Sequence, residues 1–592
     1  MDMIDSMTAP QSAALAPKKT VKRRKLKSVR VRMYRHGLGD CFLLTFTNNK
    51  DEKHHIMIDC GVLPMSSGAN QRLDLAVQNI IQETGGHIHT IVATHEHADH
   101  ISGFQSAREY LGIPSVELLD EDCKKPVNVK LAKDAQKPTI DKVWLAWTEN
   151  ATDPQRKRII QRVETISLAV QAAAMKLGAE KSKAIQDILL FNGAYLEASN
   201  EPEQEHAVPK PDGVFGASSQ TEQPKKPKFE IATSMAKIMN GLRCYNVEYL
   251  EPKDVRSIQG FRVKVHVLGP SRDLAMLNPG ASIVENVPLA KDLLPKQSTA
   301  FMAAAIRNAG LKPDGYFSAG LSSAELAQLD ELSLPFDRSR TITLDKIRQN
   351  KQQQVSENTK EALPEEYVNF FVNHYGYQDE IDSSDQGWRR IDNDWLQMGE
   401  TLALQQVSII NNTSLVLAFE LEDSGKVLLF PGDAEEESWE KWTDHPDLKR
   451  LLNKTVLYKV SHHGSVNATD KKMLKELMVN PDLTALIPVD ISRANENDWE
   501  FPAKSLYDPK RQEGALFEQT KGRIILAVDA RESVAEKDGK SVTDWERIEQ
   551  FKKPSKPTAA KITDVNWNKF TAAVNIGEPA ETPLWIDYTI AL

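Results

Sequence analysis

From Ser28 to Phe46 apolar residues alternate or run together, broken by a glycine turn at 37–39, and this pattern predicts paired strands. The polar stretch from Asn48 to Lys53 reads as a hairpin turn, followed by a strand ending at Asp59. Leu75, Val77, Ile80 and Ile81 then fall at helical spacing between Leu73 and Gly85. Strand character returns at His89–Ala93, so the first hundred residues end in strand–helix–strand order. Further along, Asp153 to Leu177 predicts an amphipathic helix, and Phe261 to Pro270 another strand. A last strand-rich region runs from Val407 to about Val528, closing on Gly522–Val528, and Leu584–Ile590 is strand-like again. Glu201 to Lys228 is rich in proline, glycine and glutamine and is expected to be a mobile linker; His206 within it reads as solvated. Glu365 to Tyr377 gathers five aromatic residues, expected as a helix core rather than a base-stacking platform. No internal repeat is evident.

The chemistry concentrates in Thr94-His95-Glu96-His97-Ala98-Asp99-His100, directly after a strand. His95 and His97 are two apart, so on extended chain they point the same way. Asp99 and His100 follow where the chain turns, and diverge toward a second position. Neutral imidazoles with a carboxylate suit a borderline divalent cation. Histidine occupies 14 of 592 positions; three at fixed offsets recur by chance only roughly 0.008 times in such a chain. A metalloenzyme is therefore expected.

H-x-H-x-D-H after an apolar strand resembles the metallo-β-lactamase superfamily of binuclear metal hydrolases. Three further motifs, one upstream and two downstream, stand in that family's order. They are the strand ending Ile58-Asp59-Cys60-Gly61, the strand ending Phe430-Pro431-Gly432-Asp433, and Val460-Ser461-His462-His463-Gly464-Ser465. Tyr34-Arg35-His36-Gly37-Leu38-Gly39-Asp40 resembles the G-x-G-D opening of the soluble domain of bacterial DNA-uptake competence channels. The paired histidines resemble those of that branch and of phosphorylcholine esterases. Asn411-Asn412-Thr413-Ser414 stands where the wider family carries a third-motif histidine, and His266 is the rival for that place.

The resemblance implies an α/β fold, an αββα sandwich, here with two large insertions. Its halves would be 29–110 and 401–530, with further strands in 248–270. A disordered basic tail (1–28), insertions at 111–247 and 271–400, the first containing linker 201–228, and a C-terminal extension (531–592) would surround them. It also implies two divalent metals, zinc or manganese, about 3.5–4 Å apart and sharing a hydroxide. His95 and His97 would hold the first metal, Asp99, His100 and His463 the second, and Asp433 would bridge them. Asp59 would steady the ligands. Asn411 or Asn412 in place of histidine implies partial occupancy of the first position. His462 would contact substrate or donate a proton, with Asp99 also in the catalytic set, and Ser465 and Lys459 would bind a phosphate oxygen or serve the fold. The expected activity is phosphodiester hydrolysis, with nucleic acid among the candidate substrates. Ester, lactone or amide hydrolysis and a non-catalytic, metal-stabilised binding module are the alternatives.

Composition narrows this further. Hydrophobic content of 40% with 27% charged residues fits a soluble, multi-domain chain, and the net charge of −9 argues against tight unspecific binding to long nucleic acid. The exception is the basic run Lys18–Lys27, either phosphate-binding or a solvated tail. Cys41, Cys60, Cys123 and Cys244 lack C-x-x-C spacing, so no disulfide framework is expected. With no apolar run near ~20 residues and no secretory leader, a cytoplasmic enzyme is expected, with protein partners reached through the insertions.

Overall fold

The computed structural model describes residues 22–63, 69–113, 138–192, 231–274, 276–277, 301–302, 305, 394–443, 445–496, 499–528, 536–537, 540–541, 556, 562–577 and 583–592. The linker 201–228, the aromatic cluster 365–377, His206 and Cys123 fall outside these residues.

Strands β1 (Leu26–Tyr34), β2 (Cys41–Asn48) and β3 (Lys53–Cys60) form an antiparallel meander. Helix α1 (Ala69–Thr84) then crosses to β4 (His87–Val92), which lies parallel to β3. β5 (Thr139–Ala146) and β6 (Val247–Leu250) extend the sheet in parallel. The second sheet contains β7 (Val255–Ser257), β8 (Val263–Gly269), β9 (Val416–Leu421), β10 (Lys426–Phe430), β11 (Thr455–Lys459), β12 (Thr484–Asp490) and β13 (Ile524–Val528). A small hairpin, β14 (Glu536–Lys537) and β15 (Lys540–Ser541), precedes β16 (Val574–Ile576) and β17 (Trp585–Ala591). The sheet orders are β16-β17-β1-β2-β3-β4-β5-β6 and β13-β12-β11-β10-β9-β8-β7.

The sheets face each other across an apolar layer. Val29, Val31, Phe42, Phe46, Ile56 and Val92 meet Val263, Val265, Leu417, Phe419, Leu428 and Ile525 there. Phe42 stands edge-on to Phe430 at 5.7 Å, and Phe46 tilts against Phe419 at 5.8 Å. A second core, including Leu73, Val77, Ile80, Ile101 and Phe104, packs helices on the outer side. Two sheets inside and helices outside make a mixed α/β sandwich.

Several boundaries differ from the sequence expectation. The stretch expected as tail enters the fold before its end: Arg24 bridges to Phe261, and Arg23 pairs with Glu422 at 2.6 Å. β5 lies inside the expected first insertion yet belongs to the sheet. Its first half, Thr139-Ile140-Asp141-Lys142, is polar but for Ile140, and only Val143–Ala146 are buried, so little strand signal reaches the sequence. The expected C-terminal extension supplies two strands, β16 and β17, to the first sheet. β17 pairs antiparallel with β1 over seven residues, and Arg32 grips Asp587 with two bonds of 2.7 and 2.8 Å. The helices also run longer than expected, Ala69–Thr84 and Pro154–Lys181.

Candidate metal centre

The residues singled out by motif converge at one end of both sheets. Asp59 ends β3, and Thr94–His100 leaves β4 and enters helix α2 (Ala98–Ser106). Asp433 follows β10, and His462 and His463 follow β11. Two glycines are required by the close approach of these loops. A Cβ on Gly61 would lie 2.2 Å from the His100 nitrogen, and one on Gly39 2.7 Å from the Asp99 carbonyl. The Asp40 N–H donates to that Asp99 carbonyl at 2.8 Å. Thus the G-x-G-D and D-x-G motifs form the bed on which the histidine loop rests.

His95 Nε2 and His97 Nδ1 point together, 3.0 Å apart. Beside them Asp99, His100, Asp433 and His463 bring one ligand atom each within 4.8 Å of all the others. His463 Nε2 lies 2.8 Å from Asp99 Oδ2, and His100 Nε2 3.0 Å from Asp433 Oδ2. All six side chains are buried.

The surrounding groups set which ring nitrogens are free. His100 Nδ1 donates to Asp59 at 2.8 Å, and His463 Nδ1 donates to the Pro488 carbonyl at 2.7 Å. In both rings Nε2 is then the atom left facing inward, the one a bound cation would meet. His95 Nδ1 contacts Ser414 Oγ at 3.2 Å, again leaving Nε2 facing inward. Asp59 also takes the Thr94 N–H and hydroxyl, each at 2.8 Å, so one carboxylate fixes both the loop and a ring.

Charge tells the same story. Asp40, Asp59, Asp99 and Asp433 are all buried here, and Lys459 sets its ammonium against two of them, Asp40 and Asp433. Burial opposes charging Asp433, but His100, Lys459 and His463 hold its carboxyl well below the usual range. Burial likewise opposes charging His100, but Asp433, Asp40, Asp99 and Asp59 outweigh it and raise that ring well above its ordinary value. Burial, then the neighbouring His100, keeps His95 neutral; burial pushes His97 down to about 4. Asp99 Oδ1 and His97 Nε2 are buried with no hydrogen-bond partner among the described residues. An excess of buried carboxylate, orphaned donor atoms and preset tautomers fit divalent cations.

Not every expected role fits its residue. Lys459 is not available to a phosphate: its three protons go to Asp40 at 2.6 Å, the Gly432 carbonyl at 2.8 Å and Asp433 at 3.1 Å, in full burial. Asn412 is also spent, because its Oδ1 accepts from the Glu435 N–H and the Ser438 hydroxyl, both at 3.1 Å. Asn411 donates to Glu435 at 3.0 Å and leaves its own Oδ1 unpartnered among the described residues. His266, the other candidate for that place, pairs with Glu420 at 2.8 Å on the neighbouring strand. His462 stands at the edge of the cluster, with Nδ1 2.8 Å from Ser465 Oγ, so Ser465 orients a histidine. Ser465 is itself buried and shared with Asn467.

Sequence reasoning passed over Asp40, Ser414 and Glu435. Asp40 stood in a recognised motif but was assigned no role. Glu435 opens the run Glu435-Glu436-Glu437, which reads as a solvated acidic turn; it is buried instead, and burial pushes its carboxyl up to about 8. Another grouping, His87, His89 and Asp141, lies at the opposite end of β4. There His87 Nε2 is 2.9 Å from Asp141, and His89 Nδ1 accepts the His55 N–H.

Residues 35–152, which span Asp59 and the whole histidine motif, match the family model of the metallo-beta-lactamase superfamily. This chain carries a metallo-beta-lactamase superfamily domain. The superfamily is composed mostly of hydrolases, and the clustered histidines and aspartates accord with a metal-dependent one. Asp433 and His463 lie beyond the matched residues, and the sandwich brings them to the histidine loop. Comparisons with curated proteins and with solved structures gave no match. No helix among the described residues is long and apolar enough to cross a membrane.

Proposed function

We propose that this chain is a binuclear metal-dependent phosphodiesterase, acting on nucleic acid or a smaller phosphodiester. The observation that carries this reading is the buried set Asp99, His100, Asp433 and His463 beside the converging pair His95 and His97. In this reading Asp99, His100 and His463 would hold one cation and His95 and His97 the other, with Asp433 shared by both positions. Two bound divalent cations would supply activated water near neutral pH and neutralise both oxygens of the bond being broken. With Asn412 engaged and Asn411 offering only an amide oxygen, the first position has two imidazoles, which favours zinc or manganese at between one and two equivalents. The G-x-G-D opening, which resembles that of competence-channel domains, and the Ser-His-His-Gly-Ser segment, which resembles those domains and phosphorylcholine esterases, favour phosphodiesters over carboxylic esters or lactones.

The remaining residues bind and orient. Burial pushes His462 down to about 4, and bound cations would lower it further, so its ring is neutral at pH 7. Ser465 gives its one proton to Asn467 and so accepts from His462 Nδ1, which leaves Nε2 of the neutral ring as an acceptor toward a substrate or water proton rather than an imidazolium acid. Lys459 neutralises Asp40 and Asp433 and keeps the second carboxylate fixed.

The test is hydrolysis by protein stripped with chelator and reloaded with zinc or manganese. Bis(p-nitrophenyl) phosphate, DNA and RNA are compared with p-nitrophenyl acetate. Metal-dependent turnover of at least one phosphodiester, lost in Asp99→Ala, is expected. Turnover of the carboxylic ester alone would overturn the assignment.

A further inference from the structure

A chain of aromatic rings runs beside the metal centre from one half of the site to the other. It starts at His97, whose ring lies 6.0 Å from Phe191. Phe191 stands 5.2 Å from Trp499, and Trp499 5.8 Å from Phe501. Phe501 then closes on His462 at 5.9 Å and His463 at 6.3 Å. Phe191 is buried and backs the wall, whereas Trp499 and Phe501 are half-buried, packed against the core yet still partly accessible to solvent.

Two separate segments supply the wall, and each is fixed. Phe191 sits in the short turn Leu190–Asn192 after helix Lys183–Leu189, within the region that interrupts the sandwich. The Trp499–Phe501 loop is tied to the histidine turn by the Ala503 N–H, which donates to the Gly464 carbonyl at 2.7 Å. Gly464 has φ +83°, and a Cβ there would come within 2.9 Å of Pro502. Any larger residue would push the aromatic loop off His462 and His463.

We infer that Trp499 and Phe501 form a stacking subsite that receives the planar base of a nucleotide whose phosphate lies at the metal centre. The inference rests on the phosphodiester reading above and narrows it to nucleotide substrates. A metal centre beside two partly accessible aromatic side chains matches a molecule with a phosphate at one end and a flat ring a few ångströms away. Stacking of this kind is tolerant of base identity, so the subsite selects nucleotides without reading sequence. It also gives the interrupting region a use, since its Phe191 sets the depth of the wall.

The experiment is calorimetric binding to the full, metal-loaded chain, with AMP and ribose 5-phosphate as probes. These share sugar and phosphate and differ by the base. AMP is expected to bind about 5- to 150-fold tighter, the effect of roughly 1–3 kcal/mol per stacked base. In Trp499→Leu/Phe501→Leu that advantage is expected to fall below about twofold while ribose 5-phosphate affinity stays the same, which also verifies the fold of the variant. Equal binding of the two probes by the unaltered protein, or an advantage that survives in the variant, overturns the stacking subsite but leaves phosphate binding at the metal centre standing. Phosphocholine bound more tightly than AMP would make the wall a cage for a quaternary ammonium and would likewise overturn it. Failure of every phosphate probe to bind would instead remove the phosphodiester reading, and this inference with it.

Discussion

Lys459 sets its ammonium 2.6 Å from the Asp40 carboxylate, and both side chains are almost fully buried. Asp40 comes from the opening motif and Lys459 from the end of β11, so this pair ties the first sheet to the second at the floor of the metal centre. The contact with Asp433 at 3.1 Å joins it directly to a proposed ligand.

Removing the cation takes the ammonium from two buried carboxylates, Asp40 and Asp433, a loss on the scale of about 3–5 kcal/mol. Lys459→Met should therefore lower unfolding stability by about that much, measured by urea denaturation of metal-free protein. Asp40→Asn should cost less, because Lys459 keeps Asp433. A Lys459→Met protein as stable as the parent would show that the pair carries no such load.

Asp99 and His463 face each other at 2.8 Å within the proposed second metal position. Asp99→Ala or His463→Ala should each remove about one equivalent of bound metal by elemental analysis. Each should also reduce phosphodiester turnover by roughly a thousandfold or more, the scale seen when one member of a catalytic unit is lost. Circular dichroism should remain that of the parent, since the sandwich core is made of other residues. Full metal content and undiminished turnover in both variants would move the chemistry elsewhere.

Much of this centre is legible in sequence because strand ends and short motifs fix it locally. His95, His97, Asp99 and His100 lie within six residues, and Asp59 and Asp433 each close an apolar strand. What sequence hides is of two kinds. One is pairing between distant segments whose own pattern is weak, such as β5 with its polar first half, or β17 beside β1. The other is burial against type: Glu435 in an acidic run and Lys459 between two aspartates look solvated until the fold surrounds them. The aromatic wall has the same character, since Phe191 and Trp499 are over three hundred residues apart and neither sits in a motif.

Asp59 holds the His100 ring and the Thr94 backbone at once, with two of its bonds to Thr94 and one to His100, all at 2.8 Å. Partners of this kind typically change metal affinity by about 10–100-fold when altered. Asp59→Asn should weaken retention by that factor in competition with a chromogenic chelator. An amide keeps the shape but accepts more weakly from His100 Nδ1, so loss of metal without loss of fold is the expected signature. Unchanged retention would make Asp59 a purely backbone anchor.

Glu435 provides a pH test away from the proposed ligand atoms. Burial raises its carboxyl from 4.5 to about 8, partly offset by bonds from Asn411 and Ser408. The folded chain thus favours the protonated form more than the unfolded chain does. The associated stability is fully present below about 4.5, declines as pH rises, and is lost on passing 8. Glu435→Gln keeps a neutral group of the same shape and removes this dependence. In metal-free protein the variant should match the parent near pH 4 and melt at higher temperature than the parent at pH 9, followed by thermal denaturation across that range. A gap in melting temperature that stays constant with pH would show that Glu435 is ionised in the folded chain, and that Asn411, Ser408 and their neighbours stabilise a carboxylate there.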